Sequence, residues 1–139
     1  MSFHSATSTV RSSRLRAGPE PSSVAVSTSG LGHGRYPEAL ADAVDFLLIH
    51  FNGTPVEEIP ERIHALRRFG KPIVCNEDDK LGSTACRAAE LCVANGASWG
   101  LMLKEANQYA PFEFLGAADA PEVYETLKRL TTSRQNPVR

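Results

Sequence analysis

The sequence predicts an α/β fold built on a parallel sheet. Short runs rich in Val, Ile and Leu recur at intervals of roughly 20 to 27 residues, the length of one βα unit. Segments with helical spacing of apolar residues separate them. One of the runs, Asp45-Phe-Leu-Leu-Ile-His50, is apolar throughout its interior instead of alternating, the pattern of a strand covered on both faces.

Each element has its own signals. Ser23-Val-Ala-Val-Ser-Thr-Ser29 reads as the first strand, and Gly30-Leu-Gly-His-Gly34 as the loop after it. That loop lacks the Lys-Ser/Thr of a Walker loop and the glycine spacing of a dinucleotide fingerprint, so it reads as a flexible connection. A short helix spans Pro37 to Ala43, with proline in its first turn. The second strand is Asp45 to His50. Thr54 is placed to cap a helix that begins at Pro55 or near Pro60, carries Val56, Ile59, Ile63 and Leu66 on one face, and stops at Gly70. Pro72 to Asn76 is the third strand. Ser83 or Thr84 opens a helix with Ala85, Ala89, Cys92 and Val93 inward, ending at Asn95-Gly96. Ala97 to Met102 is the fourth strand. After a long loop, Pro121 to Leu130 forms the last helix, with Val123, Leu127 and Leu130 on one face. Right-handed crossovers turn this β-α-β-α-β-α-β-α order into a four-stranded parallel sheet. Two architectures fit: half of an eight-stranded barrel, or a small open doubly wound sheet.

Composition narrows the function classes. A chain of 139 residues makes one domain, and 42% hydrophobic residues are enough for a core. A net charge of -1 and no basic stripe in the central part argue against a nucleic-acid partner. No apolar run approaches the roughly 18 residues of a membrane span, so no membrane partner is expected. Residues 1–22 are rich in Ser and Arg, with no acid before Glu20 and no apolar core of a secretory signal. They read as a disordered tail, an organellar transit peptide being the alternative. With no secretory signal, the cytoplasm is the default compartment. Residues 131–139 read as a second tail, which leaves 23–130 as the folded domain. Cys75, Cys86 and Cys92 fit small buried hydrophobes in a reducing compartment.

Polar and aromatic residues collect after the carboxyl ends of the strands, where α/β proteins bind ligands. Ser29, His33, Arg35 and Tyr36 follow the first, His50 and Asn52 the second, and Asn76, Glu77, Asp78 and Asp79 the third. Near the fourth stand Ser98 and Trp99, then Glu105, Asn107 and Tyr109. Strict alternation puts Ile73, Cys75 and Glu77 on one face, and Val74 and Asn76 on the other. Glu77 then reaches the rim of a curved wall, where a carboxylate can act on a glycosidic bond as nucleophile or base. The bland reading of the acids is capping and solvation: Asp78 or Asp79 satisfies loop amides. His50 can orient the carboxylate or be a satisfied buried histidine. Trp99 is either core or a platform for a sugar ring. The acids Glu77, Asp78 and Asp79 are poor candidates for a divalent ion without ligands from elsewhere. No cofactor and no metal are expected.

The ordered set Val24–Ser29, Asp45 to His50-Phe-Asn52, Lys71–Glu77 and Ala97-Ser-Trp-Gly100 resembles strands five to eight of a cellulase-type glycoside hydrolase, of the retaining (β/α)8-barrel superfamily. The resemblance covers roughly residues 22 to 130. It implies a half barrel with Glu77 in the nucleophile position and Trp99 beneath the attacked sugar, with His50, Asn52 and Asn76 as further substrate contacts. Where the superfamily usually reads Thr-Glu, this chain reads Asn76-Glu77-Asp78-Asp79. The acid/base Glu of strand four has no counterpart here, and a full barrel takes about 250 residues. The expectation is therefore a chain that acts on O-glycosidic bonds of a poly- or oligosaccharide only as part of a larger assembly, and that is inactive alone. Its partners would be carbohydrate and either a second copy of itself or a separately encoded first half. The alternatives are a non-catalytic small α/β module that binds a carbohydrate or an anion, and a metal-dependent hydrolase using His50, Glu77 and Asp79.

Overall fold

A computed structural model describes residues 27–28 and 36–135. The tail at 1–22, residues 23–26 of the first expected strand, and the loop carrying Ser29, His33 and Arg35 lie outside the described residues.

The fold is α/β. Its sheet is parallel and follows chain order, with strands β1 (Leu47–His50), β2 (Ile73–Glu77) and β3 (Ala97–Ser98). Ser27–Thr28 pairs in parallel beside β1, against Leu48 and Ile49. Four helices connect and follow the strands: α1 (Glu38–Ala43), α2 (Ile59–Leu66), α3 (Gly82–Ala94) and α4 (Pro121–Gln135). A single helical turn, Lys104–Asn107, sits in the loop between β3 and α4.

One face of the sheet carries the core. Leu47, Ile73 and Ala97 are paired across the three strands, and Ile49 is paired with Cys75. All five are buried, in one cluster with Ile59, Ile63 and Leu66 of α2, Ala85, Ala88, Ala89 and Cys92 of α3, and Val123 of α4. Each large aliphatic among them contributes roughly 1.5–3 kcal/mol of burial. The inward face of α3 is made of small residues, so the helix approaches the sheet closely. Ala88 belongs to that face, while Val93, expected there, is only half-buried. On the opposite face of the sheet Leu48 and Val74 are half-buried and Ser98 is exposed. The apolar run of β1 therefore does not signal a strand covered on both sides.

The ends of the elements differ from expectation for local reasons. A 3-10 turn over Val56–Glu58 accommodates Pro55 before it, and α2 proper starts at Ile59 with Pro60 in its first turn, where a missing amide costs nothing. Thr54 caps neither; its amide donates to the Phe51 carbonyl oxygen and it is buried. The following 3-10 turn, Arg67–Phe69, ends on Gly70 at φ 63°, a left-handed stop. β2 ends at Glu77, one residue later than expected. β3 is cut to Ala97–Ser98, and pairing resumes only at the isolated bridge between Asp78 and Leu101. Gly100 lies between: a Cβ there would sit 3.1 Å from the Asn76 carbonyl oxygen. α4 runs five residues beyond Leu130, to Gln135, into the stretch expected to be tail.

Candidate active site

The carboxyl end of β2 departs from strict alternation. Ile49 is paired with Cys75, but the next residue, His50, is paired with Glu77, so Asn76 has no partner in the register. One extra residue in a strand reverses its facing. Ile73 and Cys75 therefore face the helices, whereas Glu77 is carried to the opposite face beside His50. The expectation that Ile73, Cys75 and Glu77 share a face is corrected: the extra residue is the cause.

On that opposite face Glu77 is held from the neighbouring strand end. The Asn52 Nδ2 donates to its Oε1 at 2.8 Å, and His50 Nε2 stands 3.3 Å from its Oε2. The carboxylate keeps 24% exposure and the imidazole 13%, so the pair is partly screened from water and still reachable. The carboxylate fixes the Asn52 amide with nitrogen toward it. Asn52 Oδ1 then points away, buried and without a hydrogen-bond partner among the described residues. Backbone contacts hold the two loops together: the Phe51 amide donates to the Glu77 carbonyl oxygen at 3.0 Å, and the Gly53 amide approaches Asp79 Oδ1 at 3.4 Å.

Asp78 points the other way. It is fully buried on the helix side, where the Trp99 indole Nε1 donates to its Oδ2 and Lys80 Nζ to its Oδ1, each at 2.8 Å. Lys80 Nζ also donates to the Phe51 carbonyl oxygen at 2.8 Å. The indole of Trp99 is 8% exposed and belongs to the core cluster. Trp99 is thus not beside Glu77, and the sugar-platform role expected for it is corrected: its parity matches buried Ala97, not exposed Ser98. Asn76 is exposed, next to Glu77 in the chain but outside the pairing.

The structure thus brings together Glu77, His50 and Asn52 of the expected set. A retaining glycosidase needs a second carboxyl about 5 Å away across the bond. Asp78 is committed to Lys80 and Trp99, and Asp79 turns to Gly53, so neither faces Glu77 in that way. Among the described residues no three His, Cys, Asp or Glu side chains converge as metal ligands, and His50, Glu77 and Asp79 form no such group. Beyond Asp79 a cavity of about 420 Å³ opens between Leu81, Leu103, Lys104, Ala106 and Asp119. No helix among the described residues is long and apolar enough to cross a membrane.

The buried Asp78–Lys80–Trp99 group escaped sequence reasoning. Two signals pointed to it: an indole N–H buried in a core needs an acceptor, and an acid with a lysine two residues on can be paired in place. Neither signal says which of three consecutive acids turns inward. No family model, curated protein or solved structure matches this chain.

Proposed function

We propose that this chain is the C-terminal half of a glycoside-hydrolase-like (β/α)8 barrel, with Glu77 as its nucleophile toward a poly- or oligosaccharide. The observation that carries the reading is the Glu77 carboxylate at the carboxyl edge of a parallel sheet, on the face away from the helices, held by Asn52 and His50. Chain-order pairing of the strands, with the core of the described residues between one sheet face and the helices and the other face less buried, is what half of a closed barrel would present. The resemblance of the strand-end residues to those of retaining glycosidases supports it at His50, Asn52 and Glu77, and not at Trp99, which is buried against Asp78.

In this reading Asn52 and His50 orient the carboxylate, and one Glu77 oxygen attacks the anomeric carbon while the aglycone oxygen departs. Natural aglycones need a proton as they leave, and the second carboxyl that supplies it comes from the missing half. The chain alone is therefore inactive on natural glycosides. An activated leaving group removes that need. A 2,4-dinitrophenyl 2-deoxy-2-fluoroglycoside loses dinitrophenolate unprotonated, and the fluorine slows hydrolysis of the resulting ester. Incubation with the gluco, manno, galacto and xylo forms should attach one fluorosugar to the peptide carrying Glu77, as read by mass spectrometry, and none in Glu77→Gln. No adduct from any of them removes the nucleophile assignment. Sugar binding that persists in Glu77→Gln without an adduct points instead to a non-catalytic binding module.

A further inference from the structure

We propose that Lys80 is a positioning residue for the candidate site, acting through Phe51 and Asp78 from the opposite side of the sheet. The inference rests on reading Glu77, His50 and Asn52 as the site, and it adds the device that sets their geometry.

Phe51 links the two sides of the sheet. It lies between His50 and Asn52, and both neighbours reach the Glu77 carboxylate. Its own side chain is fully buried, so the peptide can shift only if the core does. Both of its backbone polar groups are taken. The amide donates to the Glu77 carbonyl oxygen, and the carbonyl oxygen accepts from Lys80 Nζ. The same ammonium is paired with Asp78, the residue after Glu77, at 2.8 Å. Asp78 is tied in turn to the segment after β3, through the Trp99 indole and through its own carbonyl oxygen, which accepts from the Met102 amide at 2.9 Å. One buried cation therefore joins the two loops whose other faces carry the site.

The pairing is strong because it is dry. Asp78 is fully buried and the Lys80 side chain is only 10% exposed. Removing one partner of such a pair leaves the other buried and unsatisfied, so the local structure rearranges instead of tolerating the loss. Lys80→Met keeps the apolar stem and deletes the ammonium. It leaves one Asp78 oxygen without that donor, and the Phe51 carbonyl oxygen with the Thr54 amide alone. Residues 51–53 are then tied to the end of β2 and the residues after it only by the Phe51 amide on the Glu77 carbonyl oxygen, the Asn52–Glu77 side-chain bond and the long Gly53–Asp79 contact.

The test is made on the free, full chain and uses no sugar, so it stands or falls independently of the nucleophile assignment. Nuclear magnetic resonance follows two signals: the Asn52 side-chain NH2 pair, which reports its bond to Glu77, and hydrogen exchange of the Phe51 amide. Leu66→Ala, a buried site on α2, serves as a control for general loss of stability. In Lys80→Met the Phe51 amide should exchange at least about tenfold faster than in the control, and the Asn52 pair should move toward free-amide shifts. Both signals unchanged in a folded Lys80→Met would overturn the proposal. If Lys80→Met does not fold, Trp99→Phe keeps an aromatic ring and Lys80 but removes one donor to Asp78. It should loosen the same two signals by a smaller factor, and a native pattern there would equally overturn it.

Discussion

At the scale of single residues, the two core thiols make the molecule sensitive to alkali. Cys75 and Cys92 are both buried on the helix side of the sheet. Burial pushes the Cys75 thiol up to about 12, against a partial offset from its contact with the Glu77 carbonyl oxygen. Burial also raises Cys92, with Cys75 and Asp78 adding to the effect. Below about pH 8 both thiols are protonated in the folded and unfolded chain and have no effect on pH dependence. Above it the unfolded chain releases protons that the folded chain retains, so stability falls as pH rises, by about 1.4 kcal/mol per unit for each thiol. Urea unfolding of Cys92→Ala between pH 9 and 11, under reducing conditions, should give a slope shallower than wild type by about that amount. Parallel slopes would mean that Cys92 ionises as readily folded as unfolded. The burial of these cysteines was legible in the sequence, as was the interest of Glu77, His50 and Asn52. The role of Asp78 was not. Asp78 and Asp79 are the same residue type side by side, and only the fold decides which one meets an indole and an ammonium.

At the scale of elements, the candidate site depends on how two strand ends fit. Strands β1 to β3 and helices α1 to α4 were visible in the spacing of apolar residues and in turn signals such as Gly70 and Asn95-Gly96, whereas the turn Lys104–Asn107 was not; of the expected strand at 23–29 only Ser27–Thr28 lie among the described residues, and they pair beside β1. The unpaired Asn76 was not visible. Nothing in Cys75-Asn76-Glu77 distinguishes an even strand from one with an extra residue, because such irregularities arise from neighbouring backbones and not from local preference. One of those backbones is the segment at Gly100, which passes close to the carbonyl oxygens of Cys75 and Asn76. A methyl group at position 100 would press on the strand backbone at Cys75 and Asn76, which would have to give way. Gly100→Ala should therefore destabilise the fold by roughly 1–3 kcal/mol in chemical denaturation, the cost of overpacking. It should also shift the backbone amide signals of Asn76 to Asp78. A variant as stable as wild type would show that the segment moves freely and does not brace the end of β2.

At the scale of the whole molecule, the two faces of the sheet are unequal, and that inequality predicts association. One face is sealed by α2, α3 and α4. The other offers Leu48, Val74 and Ser98, the first two half-buried and the last exposed. The loop after β3 also exposes Tyr109, Phe112 and Leu115. Exposed apolar area, and β3 with no further strand beside it among the described residues, both recruit other chains. In the half-barrel reading the natural cover is the missing first half, and a second copy is the substitute when that half is absent. Light scattering should then give a mass above that of one chain that rises with concentration, together with binding of a dye that senses apolar surface. Val74→Lys puts a charge on the open face without touching the helix side. It should reduce both signals while leaving helix content and the unfolding midpoint close to wild type. A chain that stays single at every concentration and binds no dye has no apolar face to cover, and the half-barrel reading loses its physical reason.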